Sequence, residues 1–222
     1  MQPTRIRAYV WELPVRFSHW MNALCVVALS ITGYYIGNPF MHAVSTDQYI
    51  MGWMRFVHFV AAYVFLMSII IRLYWSFASD NKYSSWKVFF PVTARQRTDL
   101  VDSLKFYTLI SRKPPFAVGH TASAGFAYFV VLMLFCFEIG SGFALYGLSH
   151  MKSAILWLLG GWMLGIMDAQ TLRLWHNLVM YVILAFVILH IYMAWWLDTV
   201  EKNGMMGSIF GGYKFVTGKE WE

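Results

Sequence analysis

The sequence predicts an all-α membrane protein in which a bundle of four helices crosses the bilayer. Of the 222 residues, 59% are hydrophobic and only 13% are charged, whereas typical soluble domains contain roughly 45–50% apolar and 25% charged residues. A membrane is crossed by about 20 helical residues, because lipid offers no hydrogen-bond partner to an unpaired backbone group. Four apolar runs are long enough, at about 19–37, 53–77, 123–146 and 174–197.

A fifth apolar run, at about 154–167, is shorter than these four and is interrupted by three glycines. Its length and composition are typical of a short helix that lies in the membrane interface, and we expect it on the periplasmic side. The 78–113 segment is polar and basic and has no linker composition, which indicates an amphipathic cytoplasmic connection. The whole chain, 1–222, is therefore expected to form one membrane domain.

The distribution of basic residues predicts that both termini are cytoplasmic. Lysine and arginine collect in cytoplasmic loops because their transfer across the bilayer is costly. With the termini inside, 14 of the 17 lysines and arginines lie on the cytoplasmic side, and the exceptions are Arg55, Lys152 and Arg173. The formal net charge of +6 therefore reflects membrane topology, and no nucleic-acid partner is expected.

Four of the seven histidines fall within predicted spans, where an ionisable side chain is costly and usually functional. His19 lies near the cytoplasmic face, whereas His58 and His176 lie near the periplasmic face. His190 follows His176 by 14 residues, which is about 21 Å along a helix and within about 40° of the same face. Paired by depth, His58 with His176 and His19 with His190, these imidazoles could be the axial ligands of two haems.

Other chemistry remains open at this stage. A zinc site would need three or four converging ligands, and a proton or metal transporter usually contains acids near the membrane midplane, where this chain has only Glu138. Methionine could replace a histidine ligand, since 14 are present. Cys25 and Cys136 form neither a CxxC nor a CxxCH motif, so covalent haem attachment is not indicated.

Several further residues are candidates for contacts near such haems. His120 opens the third span and could belong to a quinone site or donate a proton, or could simply be interfacial. Arg72 and Arg16 could each bind a haem propionate, although a role in setting the topology explains both equally well. Glycines in the first and third spans could give clearance to a macrocycle or could only permit close helix packing; they are Gly33, Gly37, Gly125, Gly140 and Gly142.

The motifs resemble a known family. The resemblance is carried by the segments VWELPVRFSHW, TGYYIGNPF, RFVHFVAAYVF, GHTASAGFAYF and RLWHNLVMYVILAFVILHIYMA. They are similar to the b-type cytochrome subunit of membrane-bound nickel–iron hydrogenases, within the bacterial di-haem cytochrome b561 group that includes the gamma subunit of formate dehydrogenase. The histidine order is common to the group, and TGYYIGNPF and HIYMA favour the hydrogenase branch.

The resemblance implies a multi-pass subunit of the bacterial inner membrane that holds two non-covalent haem b groups on His19, His58, His176 and His190. It implies a periplasmic partner with a small iron–sulfur subunit and a large nickel–iron subunit. Electrons from hydrogen would reach the His58/His176 haem, then the His19/His190 haem, and finally a quinone. The chain has no CxxC pairs to bind nickel, so it would be the electron-transfer subunit of a hydrogen:quinone oxidoreductase rather than the site of hydrogen splitting.

One feature departs from the family pattern: Asp168 lies eight residues before His176, where an acid nearer to the histidine is expected. The related functions that remain open are the equivalent subunit of formate dehydrogenase or thiosulfate reductase, and a stand-alone cytochrome b561. Outside electron transfer, the alternative is a haem-free membrane anchor or metal transporter.

Overall fold

The computed structural model describes residues 5–41, 44–45, 47–89, 93–108, 110–112, 118–119, 121–148 and 153–217. It is mostly helical. The helices are α1 (Leu13–Gly37), α2 (Ile50–Ala78), α3 (Ala94–Tyr107), α4 (Ala122–Gly147), α5 (Ala154–Leu159), α6 (Ala169–Glu201) and α7 (Met205–Gly211). Two strands, β1 (Arg5–Tyr9) and β2 (Tyr213–Thr217), and 3₁₀ turns at Trp86–Val88 and Gly161–Gly165 complete the described elements.

The prediction of a four-helix membrane protein is confirmed. Helices α1, α2, α4 and α6 contain 25, 29, 26 and 33 residues and are apolar enough to cross a bilayer. Each extends beyond its predicted apolar run, because a helix continues into the interface where polar side chains are tolerated. Large apolar side chains such as Leu24 and Ile188 are about two-thirds exposed, as expected of surfaces that face lipid.

The predicted interfacial segment forms α5 and a following 3₁₀ turn rather than one helix. The break falls at Gly160, whose backbone packs so closely on Gly140 that an added Cβ would overlap the Gly140 carbonyl. Ser153 begins α5 by accepting a hydrogen bond from the Leu156 N–H. Trp157 and Leu158 are mostly exposed on this short helix, a feature typical of segments that rest in a membrane interface.

The connection between α2 and α4 contains the amphipathic helix α3. Thr93 and Gln96 form a capping box at its start: the Thr93 hydroxyl accepts from the Gln96 N–H at 3.2 Å, and the Gln96 side chain accepts from the Thr93 N–H at 3.0 Å. This reciprocal pair satisfies two backbone donors that a helix N-terminus otherwise leaves open.

A small sheet joins the two ends of the chain, a feature that the sequence did not predict. Strands β1 and β2 pair antiparallel, with Arg5 opposite Thr217 and Tyr9 opposite Tyr213. Ala8 and Val216 pack with neighbouring residues of the N-terminal segment in a buried cluster. Lys214 is also buried and donates to the Gly119 carbonyl at 3.4 Å.

Contacts divide the chain into two compact units. The first unit comprises Met1–His19, Ile71–Val131 and Ile188–Glu222, and the second comprises Trp20–Ile70 and Leu132–Val187. The described part of the first unit contains the sheet, His19 and His190, whereas the second unit contains His58 and His176.

Candidate functional site

The tautomer of His58 is fixed by a threonine of α1. The Thr32 hydroxyl donates to the Ala28 carbonyl at 2.6 Å and lies 2.9 Å from Nδ1 of His58. Because the single hydroxyl proton is already used on Ala28, the oxygen accepts a hydrogen bond from Nδ1–H. The proton of the neutral imidazole therefore lies on Nδ1, and Nε2 keeps the lone pair that a metal would bind.

His176 is held in the same way from α4. The Ser141 hydroxyl donates to the Phe137 carbonyl at 2.7 Å and lies 2.8 Å from Nδ1 of His176, while Oε2 of Glu138 lies 3.0 Å from the same nitrogen. The Nδ1–H of His176 thus has two acceptors, and its Nε2 is left with the lone pair. Histidines that bind metals usually donate their other N–H to an oxygen acceptor of this kind.

His58 and His176 line one cavity in the second unit, with a volume of about 710 Å³. Cofactor sites typically enclose about 300–1,000 Å³ and are mostly apolar with a few polar groups. The polar members of this lining include Arg55, Arg173 and Asn177. The structure therefore brings the predicted pair together around a space of suitable size.

Two glycines give these histidine rings the room they occupy. A Cβ on Gly33 would lie 3.2 Å from Cε1 of His58, and a Cβ on Gly142 would lie 3.3 Å from Cε1 of His176. Both distances are shorter than ordinary carbon–carbon contacts of about 3.5–4.0 Å. The space beside Gly33 and Gly142 therefore accommodates the imidazoles, and clearance for a macrocycle stays a prediction.

The second predicted pair lies in the first unit. The ring centroids of His19 and His190 are 6.2 Å apart, and the ring planes are inclined by 51°. A histidine–metal bond is about 2 Å long and the ring centre lies a further ~1 Å behind the nitrogen, so two axial imidazoles on one metal have centroids roughly 6 Å apart. The spacing of this pair matches that value.

The remaining predicted contact residues have other partners or fall outside the described residues. Arg72 is buried, with its guanidinium 5.5 Å from the Phe89 ring centre and 5.2 Å from that of Tyr128. Arg16 donates to the carbonyl of Phe210. His120 lies outside the described residues, as do His42 and His150. The roles of Arg72, Arg16 and His120 at a quinone or a propionate stay predictions.

Asp168 has a structural role at the start of α6. Its Oδ1 accepts from the backbone N–H groups of Gln170 and Thr171 at 2.9 and 3.0 Å, and its Oδ2 accepts from the Thr171 hydroxyl at 2.6 Å. These bonds lower the pKa of the Asp168 carboxyl below its ordinary value, with the Thr171 hydroxyl as the main cause. The acid that departs from the family pattern is thus the N-terminal cap of the helix that carries His176 and His190.

The family of the chain is shown by its similarity to known proteins. The sequence profile of the prokaryotic cytochrome b561 family matches residues 10–212. The chain belongs to this family. The family implies a b-type haem and a role in membrane electron transport, so the predicted family, the class of cofactor and the multi-pass membrane location are confirmed.

Relatives of this cytochrome b561 are similar over nearly their whole length. A probable Ni/Fe-hydrogenase B-type cytochrome subunit of Cupriavidus necator is 35% identical over 211 residues, which cover 93% of this chain and 86% of the relative. The protein of the same name from Rhodobacter capsulatus is 33% identical, covering 95% and 82%. The probable Ni/Fe-hydrogenase 1 B-type cytochrome subunit of Escherichia coli K12 is 32% identical, covering 93% and 90%.

The residues of this cytochrome b561 fit a b-type haem. Histidine nitrogen is a common haem-iron ligand, and the hydrogen bonds of Thr32 and Ser141 leave Nε2 of His58 and His176 available to hold such a group. Within the described part of the chain, no group of three or more His, Cys, Asp and Glu residues could hold a bare metal ion. The histidines of the described residues instead come together two at a time, which is compatible with haem ligation.

Sequence reasoning missed the oxygen acceptors that orient these histidines. Thr32 and Ser141 were not singled out, and Glu138 was considered only as evidence for a transporter. A recurring pattern was available: in both helices a hydroxyl residue directly precedes the glycine that faces the ring, as Thr32–Gly33 and Ser141–Gly142. The hydroxyl and the glycine occupy adjacent positions because one orients the imidazole and the other makes room for it.

Proposed function

We propose that this cytochrome b561 is the di-haem electron-transfer subunit that carries electrons from a periplasmic nickel–iron hydrogenase to the membrane quinone pool. The observation that carries the proposal is the proximity of two pairs of histidines: His58 and His176 line one cavity, and the rings of His19 and His190 lie 6.2 Å apart. Support for the hydrogenase partner comes from the relatives, which are named as probable Ni/Fe-hydrogenase B-type cytochrome subunits. This chain is similar to them over most of their length.

In this proposal each unit holds one haem b, and the whole chain, 1–222, works as a single di-haem domain. Haem supplies reversible one-electron redox chemistry when bound. The protein orients the four imidazoles, keeps Nδ1 of His58 and His176 protonated through hydrogen bonds to Thr32 and Ser141, and surrounds the sites with apolar side chains. Burial and neighbouring charge are the means by which it would tune each site.

The proposed direction of transfer follows from the positive-inside rule. With both termini cytoplasmic, His58 and His176 lie near the periplasm, where the iron–sulfur subunit of the partner would deliver electrons and its nickel–iron subunit would oxidise hydrogen. His19 and His190 lie near the cytoplasmic face, where a quinone would be reduced. Arg72, Arg16 and His120 are the candidate residues on that side.

Hydrogen-driven spectra of single-histidine variants test the function and the order of the sites together. In membranes that contain the native complex, hydrogen should reduce two b haems per wild-type chain. His176→Ala should remove one haem and prevent hydrogen from reducing the other, because the first acceptor is lost. His190→Ala should also remove one haem, but the remaining haem should still be reduced by hydrogen while its reoxidation by quinone is blocked.

The measurements are reduced-minus-oxidised absorption spectra and the haem content per chain, with His42→Ala, a substitution in a predicted loop, as the matched control. Retention of both haems in His176→Ala would refute the assignment of this ligand. Reduction of the haems by formate but not by hydrogen would replace the proposed partner with a formate dehydrogenase.

A further inference from the structure

We propose that Arg55 and Arg173 form the binding site for the two propionate carboxylates of the haem at His58 and His176. The inference rests on the proposed function, because it requires a haem in the cavity of the second unit. Both arginines line that cavity together with both histidines.

The spacing in the sequence places each arginine one helical turn from its histidine. Arg55 precedes His58 by three residues in α2, and Arg173 precedes His176 by three residues in α6. Residues three apart lie on the same face of a helix, with side chains tilted towards the N-terminus. Each guanidinium therefore belongs to the histidine-bearing face and lies on the side of the histidine towards the start of the helix, which in the proposed topology is the membrane surface.

The positions of these arginines oppose the charge bias of the rest of the chain. Only three of the 17 lysines and arginines are assigned to the periplasmic side, and two of the three line this cavity. Basic residues on the translocated side are disfavoured during insertion. A ligand that needs positive charge at this place gives a reason for both of them.

The electrostatics of the cavity leave the two guanidinium groups available. Glu138 is the acidic residue of the lining, and its carboxylate lies against Nδ1 of His176. Among the described residues, neither arginine forms an ion pair. A carboxylate that leaves water needs a cationic, hydrogen-bonding partner, and a guanidinium can bind one through two parallel bonds. Two free guanidinium groups match the two carboxylates on one edge of a haem.

Loss of both guanidinium groups should weaken the binding of one haem and change its midpoint potential. We expect the double variant Arg55→Gln/Arg173→Gln to release one of its two haems to excess apomyoglobin at least roughly tenfold faster, because both charge-assisted contacts to the propionates are lost. The midpoint potential of that haem should fall, because unneutralised propionates favour the ferric state, and the other haem should be unchanged. Arg55→Lys/Arg173→Lys should restore part of both effects, and Arg97→Gln on exposed α3 should behave as wild type.

A second arm separates propionate binding from a general effect of charge. Membranes that contain the full chain, produced in haem-deficient cells, are loaded with haem or with haem dimethyl ester, whose carboxylates are masked. The wild type should bind the ester roughly tenfold more weakly at this site, whereas the double glutamine variant should bind both forms alike. Equal binding of the two forms by the wild type, or undiminished discrimination by the double variant, would overturn the inference.

An anionic phospholipid headgroup has the same chemistry as a propionate and is distinguished by these arms. If haem release from the wild type depended on anionic lipid in nanodiscs but not on esterification, the arginines would bind lipid and the inference would be wrong. Failure of the proposed function has a different signature, since hydrogen would then reduce neither haem of the wild type, whatever the arginine variants do to haem release.

Discussion

Each candidate ligand of the second unit is oriented by a hydroxyl residue of a neighbouring helix. That hydroxyl also donates to a backbone carbonyl four residues earlier in its own helix. The Thr32 hydroxyl accepts a hydrogen bond from His58 and donates one to the Ala28 carbonyl, whereas Ser141 and Glu138 both accept from the Nδ1–H of His176. These contacts fix which ring nitrogen is free, so the side chain does not have to rotate or lose a proton to bind iron. Such preorganisation lowers the cost of holding a ligand in one geometry.

Gly33 gives the sharpest test of this arrangement. An alanine Cβ would lie 3.2 Å from Cε1 and 3.7 Å from Nδ1 of His58, and excess volume at a packed position costs about 1–3 kcal/mol. We expect Gly33→Ala to displace the imidazole of His58. The occupancy of one haem site should fall, and the ferric low-spin signal of that haem in electron paramagnetic resonance spectra should change. Gly165→Ala is the matched control, because no atom lies within 4 Å of its added Cβ. Wild-type haem content and resonance in Gly33→Ala would contradict the proposed clearance.

At the scale of single residues, the sequence draws attention to the histidines but not to the hydroxyl residues that contact them. A histidine in an apolar run is conspicuous, because its burial in lipid needs a reason. Thr32 and Ser141 are not conspicuous, since a hydroxyl in a membrane helix usually bonds to its own backbone. Both residues do so, and their second role depends on which helix lies opposite, which no local pattern shows.

Among the elements, the spans were predictable and the small sheet was not. A run of about 20 apolar residues is sufficient to identify a membrane helix. Strands β1 and β2 have five residues each and pair across nearly the whole chain length, so neither carries a periodic pattern strong enough to identify it. The division of the 154–167 segment at Gly160 was also not predicted, because it depends on backbone contact with Gly140 in a different helix.

The N-terminus of α6 provides a prediction for an element, with a defined pH dependence. Asp168→Ala removes the acceptor for Gln170 and Thr171, so we expect a lower melting temperature at pH 7 by circular dichroism in detergent. The folded pKa of Asp168 is below the unfolded value. The contribution of the Asp168 carboxylate to the stability of the folded state is therefore complete above about pH 4 and is lost as the pH falls through the lowered pKa.

The difference in melting temperature between wild type and Asp168→Ala should accordingly shrink at pH 3. Asp168→Asn is the matched control, because its amide oxygen can still cap the helix but has no charge to lose in this range. Equal melting temperatures of wild type and Asp168→Ala at pH 7 would show that the cap does not stabilise α6.

For the whole molecule, the family could be identified from the order of four histidines and their flanking motifs, and the family match over 10–212 bears this out. The partner is different in kind. A docking surface for another protein depends on its shape and on side chains at the ends of loops. A single sequence does not show which of these side chains contact the partner. The proposed hydrogenase partner therefore depends on the named relatives, whereas the histidine pairs depend on geometry within this chain.

Membrane topology is the prediction that belongs to the whole molecule. We expect both termini to lie in the cytoplasm, because the described residues contain an even number of helices able to span the membrane, four, and because the charge bias is 14 basic residues against three. We expect green fluorescent protein fused after 222 to fluoresce, and alkaline phosphatase fused after Ser153 to be active, because the phosphatase folds only in the periplasm. Phosphatase fused after Lys87 is the control and should be inactive. The reverse pattern would place His58 and His176 near the cytoplasm, so that electrons would have to arrive from that side and a periplasmic hydrogenase could not be the donor.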